Sequence, residues 1–333
     1  MTRSAVRLVL ATTCSDRKAA VASGTVRLRD VQQGNPRQRA RHWARLLHNA
    51  AQHGTTHADR LYLGSHWTAS KRAFDAAQEA GLHASMHVIS AGYGLYPVEA
   101  MVTSYAATFV PGHADSVPPE RVAARDRVEY LAGWWAAIAE QVEIDGVTSR
   151  SFLQLALEDP HRRVLVVAGG NYLDAITEDL LLAREHLSNS DHLAVVSAGA
   201  SERALGILGE NVLPVDARFE NLVMGARTAL NARVAHWLLS EVVDPSKVGA
   251  AYFRRKLELK ASELPPARKF ERETMSDKEI QLWIIQNLDR PEAASASSLL
   301  RYLRDNGMAC EQKRFGVLYR SANHAGKDGM RGK

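Results

Sequence analysis

Short β-branched or aliphatic runs recur along this chain, each ending in a small or reactive turn and separated by longer stretches with helical spacing. Few folds accept that order. The runs span residues 6–11, 61–63, 87–89, 164–167 and 193–196, with 212–215 a weaker case. The helical stretches span residues 37–51, 69–80, 122–142, 172–186 and 222–239. Strands alternating with helices imply parallel pairing, so the expected fold is α/β: a mostly parallel layered sheet with flanking helices. In such sheets ligands bind beyond the carboxyl ends of the strands.

The strand-end turns are therefore the first place to look for a site. They read Thr12-Thr-Cys-Ser-Asp-Arg-Lys18, Gly64-Ser-His-Trp67, Ser90-Ala-Gly-Tyr-Gly94, Ala168-Gly-Gly-Asn-Tyr172 and Ser197-Ala-Gly-Ala-Ser201. Glycine admits positive φ and lets backbone approach a ligand, and a helix start offers free N–H groups to negative charge. Tight turns need glycine in any case, so recurrence at successive strand ends carries the pocket reading. The expected binding residues are Ser65, Ser90, Gly92, Tyr93, Gly169, Asn171 and Tyr172. None of the turns matches the phosphate-loop or dinucleotide glycine patterns, and no cofactor is expected.

Cys14 is the best nucleophile candidate, because nearby Arg17 and Lys18 would favour its thiolate. Asp16, Lys18 and His66 are the expected proton-handling groups. A lone cysteine after a strand also reads as a small buried apolar residue, and that alternative stands. Cys14 and Cys310 sit in unlike contexts near opposite ends, which indicates neither a disulfide framework nor a zinc site. No His-Glu-x-x-His or Cys/His cluster is present, and no metal is expected. There is no apolar run of membrane-span length, and the N-terminal stretch turns polar too early for a signal peptide. A cytoplasmic protein without membrane contact is expected.

Charge divides the chain unevenly. Residues 245–333 carry 18 Lys/Arg against 11 Asp/Glu, a net +7, while residues 1–244 carry 24 against 26, a net −2. Expected divisions are an α/β domain at 1–244, a basic helix and Pro linker at 245–266, a helix-turn-helix-like or winged-helix module at 267–322, and a flexible tail at 323–333. Ser276-Asp-Lys-Glu279 fits a capping box, residues 295–305 a helix, Asn306-Gly307 its stop, and residues 309–321 a basic amphipathic helix, with a β-hairpin wing over 309–319 the competing assignment. Arg254, Arg255, Arg301, Arg304, Lys313, Arg314 and Arg320 are the expected nucleic-acid contacts. A helical cap or dimerisation domain is the plainer alternative.

Ser90-Ala-Gly-Tyr-Gly-Leu95 followed by Tyr105-Ala-Ala-Thr108 resembles the YaaA-like superfamily. So do Val167-Ala-Gly-Gly-Asn-Tyr172 and Ala226-Arg227, while Cys14-Ser-Asp-Arg-Lys18 is similar to the opening of a divergent branch sharing the Tyr-Gly turn. The resemblance covers roughly residues 5–240 through scattered short motifs. It implies a DNA-binding α/β fold, associated in one branch with peroxide stress. In another branch it implies a role in clusters that place 7-deazaguanine bases in DNA, linked to converting a nitrile to an amide. The expected partners are DNA and the other enzymes of such a modification system. Two other functions stay open: a non-catalytic DNA-binding protein of modification, defence or stress response, and a nucleoside or nucleobase hydrolase.

Overall fold

The computed structural model describes residues 6–20, 24–31, 34–119, 122–266 and 272–330, without the side chains of residues 124, 313 and 323–330. The chain forms two compact units, Met1–Ala267 and Arg268–Lys333.

Unit one is built on a five-stranded sheet of β1 (Arg7–Thr13), β2 (His83–Ser90), β3 (Gly94–Pro97), β4 (Arg163–Val167) and β5 (Leu193–Val196). Its spatial order is β3-β2-β1-β4-β5, parallel throughout except for β3, which runs antiparallel on the edge of β2. Alternation with period two divides the apolar residues of the inner strands between two cores. Val9, Ala11, Val164, Val166, Leu193 and Val195 enter one; Leu8, Leu10, Leu165, Val167, Ala194 and Val196 enter the other. The first core is covered by α1 (Pro36–Ala51), α3 (Arg127–Gln141), α4 (Phe152–Glu158), α5 (Gly170–His186) and α6 (Glu202–Leu208). Opposite lie α2 (Ser65–Glu79), α7 (Leu230–Ser240) and α8 (Ala250–Glu263). The result is a three-layer sandwich with β1 at its centre.

Residues 61–63 are not a strand. Ala58–Leu61 makes one helical turn and Tyr62 forms a single bridge with Lys18, because the buried Leu61 and Tyr62 side chains are absorbed by the core beside β1. Val212 likewise makes only a single bridge, with Val195. Of the helical pattern over 222–239, Arg227–Ala229 forms a 3-10 turn and the α-helix α7 begins only at Leu230.

Within residues 245–266, where the sequence predicts a basic helix and a Pro linker, α8 buries Phe253 and Leu257 in the second core of unit one. Burying two such side chains is worth about 2 kcal/mol each. Arg254 is stapled down by Nη donation to the carbonyls of Glu210 and Val212 at 2.7 and 2.8 Å.

Unit two holds three helices among its described residues: α9 (Asp277–Gln286), α10 (Ala296–Asp305) and α11 (Gln312–Met330). The Ser276–Glu279 capping box opens α9, and Gly307 takes φ +79° after α10. Ile280, Ile284, Leu299, Leu300, Leu303, Phe315 and Leu318 form a separate core. Residues 306–311 between α10 and α11 include a two-residue parallel pairing of Met308–Ala309 with Glu273–Thr274. The hairpin alternative for 309–319 is replaced by α11, which continues to Met330 into the stretch expected to be a tail. Residues 267–271 and 331–333 lie outside the described residues. No helix among the described residues is long and apolar enough to cross a membrane.

Candidate active site at the strand ends

Beyond the carboxyl ends of β1 and β4 lies a 370 Å³ cavity lined by Thr13, Cys14, Ser15, Asp16, Leu63, Gly64, Ser65, His66, Gly169, Tyr172, Thr228 and Asn231. Three predicted turns thus meet at one place. Cys14 follows β1 directly; its backbone N–H donates to Ile89 O at 3.0 Å, and its side chain is 8% exposed. Cys14 Sγ lies 3.4 Å from Tyr172 Oη. Burial holds the Tyr172 phenol well above its ordinary range, with the neighbouring Cys14 sulfur adding to the effect, so the phenol keeps its proton. Phe109 fixes the Tyr172 ring edge-on at 4.9 Å between centroids.

His66 sits in the first turn of α2. Its Nε2 lies 3.0 Å from the carbonyl of Thr13 and 3.1 Å from Thr13 Oγ1. A carbonyl only accepts, so the Nε2 proton is donated there and the neutral ring keeps a bare Nδ1. Burial lowers the pKa of His66, with the Thr13 carbonyl opposing, which favours that neutral form.

Two helices open on the cavity. The N-cap residues of α2 and α5 are Gly64 and Gly169; neither has a side-chain cap, and neither first turn holds an acidic residue. Unpaired N–H groups and the positive ends of both helix dipoles are left to stabilise charge that develops in the cavity.

Lys18, expected to move protons, does not line the cavity. Its ammonium turns inward, donating to Ser15 O at 3.0 Å and resting over the Tyr105 ring at 4.4 Å and the Tyr62 ring at 5.6 Å. Burial lowers its pKa, while Cys14, Asp16 and Asp115 oppose that shift.

Ser90, Gly92 and Tyr93 are also absent from the cavity wall. Ser90 Oγ accepts from the N–H groups of Gly92 and Tyr93 at 3.0 and 2.9 Å, which occupies both lone pairs. Its proton therefore goes to Tyr105 Oη at 2.6 Å; Tyr105 donates to Tyr62 at 2.8 Å, and Tyr62 to Tyr96. Trp134 and Trp43 donate to the carbonyls of Ala91 and Gly92 at 2.8 and 2.7 Å, and Arg150 to those of Tyr93 and Leu95. This turn is a buried scaffold behind the site. Tyr93 instead reaches a separate 650 Å³ groove beside Met101 and Thr103. Asn171 belongs to the first turn of α5 without lining the cavity.

Sequence reasoning missed Thr228 and Asn231, which the 3-10 turn before α7 brings to the wall. The signal available was an Asn in the first turn of a helix following one more strand end. Among the described residues no group of three or more His, Cys, Asp or Glu is arranged to hold a metal.

The expected nucleic-acid contacts divide. Arg254 serves unit one internally, Arg304 donates to Cys310 O at 2.8 Å, and Arg314 pairs with Asp277 at 2.6 Å and donates to Met275 O. Those three hold structure together. Arg255 and Arg301 are exposed and have no partner among the described residues; Arg320 is exposed, and the Lys313 side chain lies outside the described residues. Residues 272–322 hold eight Lys/Arg against seven Asp/Glu, whereas 245–271 hold seven against three. Most of the basic excess therefore precedes the three-helix core.

No family model, curated protein or solved structure matches the chain.

Proposed function

We propose that the protein is a thiol-dependent hydratase or hydrolase that acts on a planar nucleobase at the strand-end cavity. The observation that carries this reading is the convergence of Cys14, His66 and two glycine-capped helix starts on one cavity. In the nitrile reaction suggested by the YaaA-like resemblance, His66 takes the Cys14 proton as sulfur bonds to the nitrile carbon. One C–N π bond opens, and the nitrogen receives the proton from His66, giving a thioimidate. Water then adds to that carbon as the remaining C–N π bond opens, with His66 taking a water proton and passing it to the nitrogen. The tetrahedral species then breaks its C–S bond as its hydroxyl gives its proton to His66, leaving the amide, and His66 returns that proton to the thiolate. The helix starts stabilise the negative charge of each addition step.

Chemistry on a base in DNA requires the base to leave the stack. Arg255 on unit one and Arg301 on unit two are exposed cations with no partner among the described residues, suited to phosphate contact, and they support DNA as the carrier of that base. The experiment is mass spectrometry of the bases in DNA incubated with wild-type, Cys14→Ser and His66→Gln protein. Conversion is expected only with the wild type; equal conversion by C14S would overturn the nucleophile assignment. The non-catalytic alternative is favoured by one observation, the independent core of unit two. It predicts salt-dependent DNA binding that C14S leaves unchanged and that persists without any conversion.

A further inference from the structure

Asn231 belongs to none of the sequence motifs, yet its side chain joins two strand ends. Nδ2 donates to Ala168 O at 2.9 Å, and Oδ1 accepts from the N–H of Ala198 at 2.9 Å. A carbonyl only accepts and an N–H only donates, so the orientation of the amide is fixed. The two loops it ties are in close contact already, since a Cβ on Gly170 would land on the carbonyl oxygen of Gly199. A primary amide carries two hydrogens and two lone pairs. The clamp uses one of each and leaves one of each over, on a residue that lines the cavity.

The remaining lining groups limit what can fill that space. Asp16 contributes a carboxylate, Ser65 and Thr228 contribute hydroxyls, and no lysine or arginine lines the cavity. Each helix start acts as roughly half a positive charge, so the Asp16 carboxylate offsets the two together. A permanent phosphate or carboxylate finds no surplus cation. A neutral ligand that gains charge only during reaction is matched.

We infer that Asn231 reads a neutral amide edge, the N–H beside C=O of a lactam heterocycle. Its free Oδ1 lone pair takes the ligand N–H, and its free Nδ2 hydrogen is given to the ligand carbonyl. The inference rests on the cavity being the reactive site proposed above, and it makes Asn231 a specificity residue that also positions the Gly169 loop.

The test is calorimetric titration of the full chain with hypoxanthine and uracil, with their ring-N-methylated forms that lack the lactam N–H, and with inorganic phosphate. The lactams are expected to bind, with methylation weakening them by about tenfold or more, the cost of an unmade pair of hydrogen bonds. Asn231→Ala should lose the same factor; if that variant does not fold, the methylated ligands make the same test on wild-type protein. Cys14→Ser should bind lactams like the wild type. Absence of lactam binding, indifference to methylation, or phosphate binding more tightly than lactam would each overturn the inference. Discrimination that persists in a protein whose thiol proves inert would sink the catalytic proposal alone.

Discussion

Cys14 Sγ and Tyr172 Oη lie 3.4 Å apart, which ties the end of β1 to the first turn of α5 through the one thiol of the cavity. The phenol keeps its proton because it is buried, so it is a donor towards sulfur once the thiol ionises. Tyr172→Phe removes that donor while keeping the ring against Phe109. A hydrogen bond worth about 1 kcal/mol corresponds to roughly a fivefold slower alkylation of Cys14 by iodoacetamide at fixed pH. An unchanged alkylation rate would show that the phenol does not serve the sulfur.

Gly92 packs on Tyr105, and a Cβ there would lie 2.5 Å from the ring. Gly92→Ala must displace a ring held by Ser90 and Tyr62, and overpacking of this kind costs about 1 to 3 kcal/mol. Gly169→Ala meets nothing within 4 Å, so its stability effect should stay under about 1 kcal/mol. Urea denaturation of both variants measures the contrast. Activity should respond in the opposite order, because only Gly169 lines the cavity.

These positions show why the sheet was legible and the site only partly so. The continuous apolar runs of β1, β4 and β5 are a local pattern that reads directly as buried strands. The turn at Ser90–Gly94 has the small residues of a ligand loop, but its polar groups are consumed by Trp43, Trp134, Arg150 and Tyr105. Those partners lie far along the chain, and no local pattern announces them. Lys18 turned inward for the same reason, since its aromatic cage comes from Tyr62 and Tyr105. Asn231 was hidden because a continuous apolar pattern masked the 3-10 turn that begins α7 at the cavity. The charge excess of residues 245–333 is legible in the sequence, but composition does not show that most of it precedes the three-helix core.

His87 gives a pH dependence of stability. Its ring is buried within β2, and Nδ1 finds no partner. Burial first, and the Arg162 guanidinium second, push its pKa down to about 4 from 6.5. The folded chain therefore keeps His87 neutral where the unfolded chain protonates it. This contribution to stability is full above pH 6.5 and drains away as pH falls towards 4, amounting to about 3 kcal/mol over that window. Urea midpoints at pH 7.5, 5.5 and 4.5 should fall in that order, and His87→Gln should flatten the slope. Equal slopes in both proteins would contradict the assignment.

The arginines of unit two separate structural from binding roles. Arg314→Met removes the Asp277 pair and the bond to Met275 O, both of which tie the start of α11 to the start of α9. The pair is partly exposed, so the expected loss is about 1 kcal/mol. Arg301→Ala removes an exposed cation with no partner among the described residues and should leave stability unchanged. If DNA lies against unit two, R301A should weaken binding similarly across sequences and reduce the slope of log affinity against log salt by about 1. A salt slope identical to wild type would remove Arg301 from the interface and leave Arg255, on α8 of unit one, as the residue to vary next.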